Sequence, residues 1–106
     1  MLYKEAIYLF KTKLKEVYGN RLVKIKLYGS YARGEQDDES DIDLLVLLSD
    51  LKDFWKELKR INEIEYEVND YFDFRVMICA VPASVEKYEN QKTPLFLNIK
   101  KEGISV

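Results

Sequence analysis

The chain contains two stretches that together predict its fold: Tyr28-Gly29-Ser30-Tyr31-Ala32-Arg33-Gly34 and Ser40-Asp41-Ile42-Asp43-Leu44-Leu45-Val46. The residues that lead into the first stretch, Leu22–Tyr28, alternate between apolar and basic, which predicts a strand with one solvent-facing side. Gly29 ends this strand, and Ser30 to about Arg33 is compatible with a short helix. The second stretch begins with acidic residues and continues as an apolar run, which is typical of a largely buried strand.

The remaining elements are predicted from hydrophobic periodicity outside these two stretches. Steps of three and four residues between apolar positions indicate amphipathic helices, and branched or aromatic runs indicate strands. The predicted elements are a helix over Leu2–Tyr18, a strand over Asp41–Leu48, a helix from Leu51 to about Val68 with Ser49-Asp50 as its N-cap, a strand over Tyr71–Val81 closed by Pro82, a helical turn over Ser84–Glu89, a helix over Leu95–Glu102 and a weakly paired end over Ile104–Val106. We therefore expect an α/β domain in which a short, mixed, twisted sheet is backed by helices on one face.

The composition limits the chain to one domain and disfavours several functions. With 106 residues, 47% of them hydrophobic, the sequence can bury one core, and we expect a single domain over residues 1–106. A formal net charge of −2 gives no basic field, so we expect neither a nucleic-acid nor a membrane partner. No apolar run is long enough to span a bilayer and no signal peptide is evident, so we expect a cytoplasmic protein.

The types of residue present also limit the chemistry. Histidine is absent, which removes the commonest general base and the usual imidazole metal ligand. The single cysteine, Cys79, lies in an apolar run, and we expect it to be a small buried hydrophobic residue. Carboxylates, hydroxyls and amines must therefore carry any catalysis.

Asp41 and Asp43 are the first candidates for a functional site. One residue separates them on a predicted strand, so both carboxylates project from the same face. Beside the apolar run that follows, two unpaired carboxylates would repel each other unless a cation neutralised them. Mg²⁺ is the natural candidate because the ligands offered are hard oxygens. Taken alone, an acidic pair at the end of a strand is equally compatible with a solvated turn.

Gly29, Ser30 and Arg33 are the candidates for phosphate binding. A glycine lets the backbone approach a phosphate closely, and the start of a helix presents free N–H groups to it. The Ser30 hydroxyl can donate to the same phosphate, and the Arg33 guanidinium matches the geometry of a second phosphate oxygen. Each signal is weak by itself, because glycine and serine are common in turns. Their order relative to Asp41 and Asp43 is specific.

The sequence Gly29-Ser30, ten further residues and Asp41-x-Asp43 resembles the hallmark of the polymerase-beta-type nucleotidyltransferases. Residues 28–46 look in particular like the minimal nucleotidyltransferases of prokaryotes, and the rest of the chain agrees in length and element order. The resemblance implies an enzyme that uses ATP and two Mg²⁺ ions, with Asp41 and Asp43 as ligands of the metals. It also implies a helical toxin of the HEPN type as partner, to whose tyrosine AMP is transferred, so that the chain acts as an antitoxin.

The resemblance further implies a third catalytic and metal-binding carboxylate on the neighbouring strand, for which Asp73 is the candidate. Asp73 opens the apolar run of the third predicted strand, so adjacent strands would bring it near the acidic pair. Asp70 is expected to be a turn residue at the end of the long helix. Arg75 shares a strand face with Asp73, and it either pairs with that carboxylate or reaches a phosphate.

Other functions are compatible with the same residues. The chain could be a non-catalytic subunit that masks its partner by contact and keeps the motif as a nucleotide or metal site. It could also modify a small molecule, although 106 residues leave little chain for a dedicated substrate pocket. A polymerase is disfavoured because no basic or stacking groove for nucleic acid is evident. Retained turnover distinguishes an enzyme from a masking subunit.

Overall fold

Five α-helices and four β-strands make up the computed structural model, which describes residues 1–106. The elements are α1 (Leu2–Tyr18), β1 (Leu22–Tyr28), α2 (Ser30–Arg33), β2 (Ile42–Leu48), α3 (Phe54–Tyr71), β3 (Ile78–Ser84), α4 (Val85–Asn90), α5 (Pro94–Glu102) and β4 (Ile104–Ser105), with a 3₁₀ turn over Gly19–Arg21. The predictions of α1, β1, α2, β2, α4 and α5 are confirmed to within one residue at each end. None of the helices combines the length and the apolar character that crossing a bilayer requires.

The four strands form one mixed sheet in the order β3-β2-β1-β4. β1 runs antiparallel to both β2 and β4, whereas β2 and β3 are parallel, with Ile42 opposite Ile78. A parallel pair needs a long crossover connection, and α3 provides it. β2 is buried from Leu44 to Leu48 because it is an inner strand with apolar side chains on both faces. The expected mixed sheet of an α/β domain is confirmed.

Two apolar clusters cover the two faces of the sheet. The larger cluster packs α1 and α3 against the face that carries Ile42, Leu44, Val46 and Leu48 of β2. The smaller cluster comprises Leu45, Leu47, Ala83, Tyr88 and Ile99, and it packs α4 and α5 on the opposite face. The expectation that helices cover one face only is therefore wrong. A strand with apolar side chains on both sides needs cover on both sides.

α3 begins and ends later than predicted. Its N-cap is Asp53, whose Oδ1 accepts a hydrogen bond from the Lys56 N–H at 3.2 Å, and not Ser49-Asp50. Asp50 has a φ of 55°, which differs from the extended backbone of an N-cap residue. At the other end the helix passes Val68 and reaches Tyr71. The apolar stripe was a better guide to this helix than the polar residues before it.

β3 lies further along the chain than its prediction over Tyr71–Val81. Phe72 ends α3, and Asp73 and Phe74 follow with left-handed φ values of 55° and 56°, which form a turn and not a strand. Pro82 lies inside β3, in register with Val46, and does not close the strand. Proline is tolerated here because β3 is an edge strand, so the missing N–H faces away from β2.

Candidate functional site

Gly29 forms a sharp corner between β1 and α2 and packs directly against Asp43. Its φ of 75° lies in the left-handed region, which glycine adopts without steric cost. The Gly29 carbonyl accepts hydrogen bonds from the N–H groups of Ala32 at 3.1 Å and Arg33 at 3.2 Å, which start the short helix. A Cβ added at Gly29 would collide with Asp43 Oδ2 and would lie 3.3 Å from Asp43 Cγ. The lack of a side chain therefore lets a backbone corner and a carboxylate share one site.

Asp41 and Asp43 lie at the start of β2, as the sequence predicts. Asp41 is exposed, whereas Asp43 is half-buried and stands opposite Tyr28 of β1. Burial raises the pKa of the Asp43 carboxyl, and the neighbouring Asp41 carboxylate raises it further, while the positive charge of Arg33 lowers it. The two carboxylates are thus close enough to interact. A bound cation would relieve their repulsion.

Ser30 and Arg33 begin and end α2 beside this acidic pair. Ser30 is half-buried next to Gly29, and Arg33 is exposed. Arg33 Nη1 is 3.2 Å from Glu102 Oε1 at the end of α5, and Arg33 Nε is 3.3 Å from Glu35 Oε2. Sequence reasoning missed Glu102, because only the packing of α5 brings it to α2. A phosphate at Arg33 would have to share or displace these two contacts.

Tyr28 and Cys79 complete a row across the sheet with Asp43. Tyr28 is the partner of Asp43 on β1, and Cys79 is its partner on β3. Burial, followed by the charge of Asp43, raises the pKa of the Tyr28 hydroxyl. Burial, followed by nearby carboxylates with Asp41 foremost, raises the pKa of the Cys79 thiol to about 11, so the thiol is protonated at neutral pH. Cys79 is half-buried and not fully buried as expected. Strand register brings both residues next to Asp43, and local sequence signals do not specify that register.

Asp73 does not lie on a strand beside the acidic pair. It is an exposed residue in the turn between α3 and β3, and its N–H donates to the Asp70 carbonyl at 2.9 Å. The expectation that it opens the third strand is wrong, because the backbone turns at Asp73 instead of extending. The Arg75 guanidinium is directed to the Phe72 carbonyl, to which Nε donates at 3.4 Å. Asp70 lies in the last turn of α3, close to its predicted place at the helix end.

The acidic pair fits a hard divalent cation in its chemistry but forms only part of a ligand set. Asp41 and Asp43 supply carboxylate oxygens, which Mg²⁺ prefers, in surroundings that disfavour a second negative charge. No group of three or more His, Cys, Asp or Glu side chains is arranged to hold a metal ion. A Mg²⁺ ion here would take its remaining ligands from water or from the phosphates of a nucleotide.

Comparisons with known sequences agree with this geometry. Residues 7–103 match the family described as the nucleotidyltransferase domain. A protein of Methanocaldococcus jannaschii, named as a candidate protein adenylyltransferase, is 33% identical over 72 residues. The matched region spans 68% of this chain and 72% of that protein.

Comparisons with solved structures agree with the fold. A chain in the crystal structure of a toxin–antitoxin complex with AMP-PNP has a TM-score of 0.60 at 25% identity, and the match covers 91% of this chain and 68% of that one. A structure described as a candidate minimal nucleotidyltransferase also has a TM-score of 0.60, at 20% identity, and the match covers 99% of this chain and 92% of that one.

The family match contains the whole candidate site. Residues 7–103 include the corner at Gly29 and Ser30, the exposed Arg33 and the acidic pair Asp41 and Asp43. The sequence match and the shared fold together confirm the predicted enzyme class, and this chain therefore belongs to the nucleotidyltransferase domain family.

Proposed function

We propose that the chain transfers AMP from ATP to a hydroxyl group of a partner protein, a tyrosine of a HEPN-type toxin, and so acts as a cytoplasmic antitoxin. The contact between Gly29 and Asp43 is the observation that carries the proposal. It joins a backbone corner suited to phosphate with a carboxylate pair suited to a cation. A nucleoside triphosphate with Mg²⁺ requires both parts.

The residues of the site bind and orient the triphosphate in this proposal. Gly29 and Ser30 bind phosphate oxygens through backbone N–H groups and the serine hydroxyl, and Arg33 binds a further phosphate after it releases an acidic partner. Asp41 and Asp43 hold Mg²⁺, two ions in the full proposal. When bound, the metal supplies positive charge that stabilises the phosphates during transfer. The role of Asp73 as a third ligand stays a prediction, and its place in an exposed turn does not favour it.

The proposed reaction is a substitution at the α-phosphorus of ATP. The acceptor oxygen forms a bond to that phosphorus while the bond to the bridging oxygen of the β-phosphate breaks. Pyrophosphate leaves, and AMP stays on the acceptor. The hydroxyl proton passes to a carboxylate of the site or to water, because the chain has no histidine to accept it.

A protein acceptor is proposed for two reasons. The net charge of −2 gives no overall basic field for nucleic acid. Its relatives include a protein named as a candidate protein adenylyltransferase and a chain of a toxin–antitoxin complex with AMP-PNP. An acceptor that carries its own fold needs only to present a hydroxyl to the site.

The test is transfer of label from ATP that is radioactive at the α-phosphate. The chain, Mg²⁺ and the helical product of a neighbouring gene are incubated together, and label on the partner is followed by gel and by mass. We expect labelled partner, loss of the label with Asp43→Asn, and loss of the label when the acceptor tyrosine is changed to Phe. Asp38→Asn is the matched control, because it removes an exposed carboxylate from the connector outside the site.

Masking of the partner without transfer is a second candidate function. It is favoured by the lack of a group of three potential metal ligands around Asp41 and Asp43. A tight complex that carries no label at saturating ATP, and that forms equally well with Asp43→Asn, would establish masking and exclude transfer.

A further inference from the structure

We propose that the solvent-facing side of α3 is a self-association surface, on which α3 of a second copy of this chain packs antiparallel about a two-fold axis. This surface, called here the outer α3 face, consists of Trp55, Lys59, Asn62, Glu63 and Tyr66. The opposite side of α3 packs on the sheet through Ile61, Ile64 and Val68. The proposal is independent of the proposed function, because none of these residues belongs to the nucleotide site.

Exposed aromatic side chains give the outer α3 face its apolar character. Trp55 is 74% exposed and Tyr66 is 63% exposed, and both lie on the stripe that also carries Lys59 and Asn62. With Leu58 they line a shallow open depression of about 730 Å³. Large aromatic residues grouped on a surface are typical of protein interfaces, where their area is removed from water.

The exposed charges within α3 are segregated along the helix, and those of its last turn oppose the helix dipole. The exposed cations Lys56 and Lys59 lie in the first half, and the exposed anions Glu63, Glu67 and Asp70 lie in the second half. A helix is stabilised by the reverse order, because its N-terminus carries partial positive charge. Of these five residues only Glu67 has an ion-pair partner within the chain, Lys13 at 3.3 Å. The acidic N-cap Asp53 and Glu57 complement the dipole at the first turn, whereas the last turn has no basic residue, and a partner that placed positive charge there would be favourable.

A second copy of the same helix supplies this positive charge. In an antiparallel pair the basic half of one α3 lies over the acidic half of the other, and the two helix dipoles also oppose each other favourably. A two-fold axis through the middle of α3 places Lys59 of each copy against Glu63 of the other. The same axis brings Trp55 of each copy to Tyr66 of the other. One helix from each chain makes a small interface, so we expect a weak, concentration-dependent dimer.

Sedimentation velocity of the full chain over a range of concentrations tests the proposal by charge reversal. We expect Lys59→Glu and Glu63→Lys each to weaken the dimer on the order of tenfold, because each creates two like-charge contacts. The double variant Lys59→Glu/Glu63→Lys restores the opposite charges and is expected to dimerise like the wild type. An equimolar mixture of the two single variants is expected to form the heterodimer.

Two further variants separate the interface from general effects. Lys101→Glu, the same change of charge at an exposed lysine of α5, is expected to leave the dimer unchanged. Trp55→Ala is expected to weaken dimerisation. Circular dichroism is expected to show an intact fold for this variant, because Trp55 is mostly exposed and does not belong to the core. A chain that is monomeric at every concentration overturns the proposal. A dimer that the double variant does not restore also overturns it.

Discussion

Gly29 is the residue whose replacement tests the site most directly. Gly29 and Gly34 both have positive φ values, but Gly34 (φ 72°, ψ 22°) lies in the left-handed helical region, where alanine costs about 1 kcal/mol. Gly29 (φ 75°, ψ −154°) lies in a region that only glycine adopts readily, so alanine is more strained there. At Gly34 the added Cβ meets nothing within 4 Å, whereas at Gly29 it meets the Asp43 carboxylate. We expect Gly29→Ala to lower the free energy of unfolding by about 2 kcal/mol or more, since overpacking adds to the strain.

Urea unfolding of the two alanine variants measures this difference. Gly34→Ala is the control for a positive-φ glycine without a close neighbour, and it is expected to lose only its own backbone cost of about 1 kcal/mol. Equal losses at Gly29 and Gly34 would mean that the Asp43 carboxylate moves away freely and that the close contact is not needed for the site.

The negative charge of Asp43 is expected to lower the stability of the free chain and to be needed for ligand binding. Its folded-state pKa lies above the ordinary value of 3.8, so the native chain holds the proton more tightly than the unfolded chain, and stability declines as the pH rises through the interval above 3.8. Asp43→Asn removes this charge. We therefore expect the free variant to be at least as stable as the wild type at neutral pH, and to lose the rise in Tm that the proposed binding of ATP with Mg²⁺ is expected to produce.

Thermal unfolding with and without ATP and Mg²⁺ measures both effects. Asp73→Asn is the comparison, and it is expected to keep the ligand-dependent rise in Tm, because Asp73 is exposed and asparagine tolerates its φ of 55°. A variant at Asp73 that loses the rise would return this residue to the site.

The part of the site that depends on local backbone geometry could be predicted from the sequence. Gly29, Ser30, Asp41 and Asp43 lie on one strand–corner–strand unit, where the position of each side chain follows from its spacing. Cys79 and Glu102 could not be predicted in the same way, because register and helix packing bring them close. The predicted position of Asp73 was wrong for a similar reason. It depends on the residue at which β3 begins, and tertiary contacts decide that residue.

At the level of elements, side chains of α3 form hydrogen bonds to backbone groups on the outer edge of β3. Asn69 is buried and forms two hydrogen bonds to Ile78: its Oδ1 accepts from the Ile78 N–H at 2.9 Å, and its Nδ2 donates to the Ile78 carbonyl at 3.3 Å. Glu65 Oε2 accepts from the Ala80 N–H at 3.2 Å. Side chains of one helix thus replace the neighbouring strand that this edge lacks.

Asn69→Ala is expected to lower the free energy of unfolding by about 2 kcal/mol or more, because it leaves buried backbone groups of Ile78 without partners. Asn62→Ala is the control on the same helix, since Asn62 is exposed and alanine favours helix there. Chemical unfolding of the two variants compares them. A loss at Asn69 no larger than at Asn62 would show that water replaces the amide at no cost.

Glu65 is expected to give the stability a measurable dependence on pH. Burial raises its folded-state pKa above 4.5, and the hydrogen bond from the Ala80 N–H offsets only part of this shift. The contribution of Glu65 to stability is therefore largest below pH 4.5 and falls as the pH rises through the raised pKa.

Glu65→Gln keeps an oxygen that can accept from Ala80 but removes the charge. We expect the variant to match the wild type in acid and to be equally or more stable at neutral pH, as measured by thermal unfolding across that range. If Glu65→Gln matches the wild type in acid but is less stable than the wild type at neutral pH, the charge of Glu65 is favourable.

Elements with strong periodicity could be predicted, and those decided by tertiary contacts could not. α1 and β1 have clear apolar patterns and begin and end where the sequence indicates. The segment from Tyr71 to Val81 contains branched and aromatic residues throughout, but only Ile78 onward has a strand partner in β2. The earlier residues form a turn, because the length of α3 decides where the chain can reach the sheet.

At the scale of the whole molecule, β2 explains why the sheet is covered on both faces. Its side chains from Leu44 to Leu48 are all buried, and they divide alternately between the two apolar clusters. The continuous apolar run predicted a largely buried strand, but the helices were expected on one face of the sheet only. The short helices α4 and α5 were predicted, but their side of the sheet could not be, because helix periodicity does not specify which face a helix covers.

The location of the site within the β1–α2–β2 unit also determines when the site forms during folding. Tyr28 and Asp43 are close in sequence, whereas Ile42 and Ile78 meet only after the whole of α3 has folded back. Closing the shorter loop costs less entropy, so the β1–β2 pair is expected to be present in the folding transition state and β3 to dock later. Gly29→Ala should then slow folding, and Asn69→Ala should mainly speed unfolding, which the two limbs of a chevron plot measure separately. The corner at Gly29 and Ser30 would be assembled while the sheet still lacks its parallel strand.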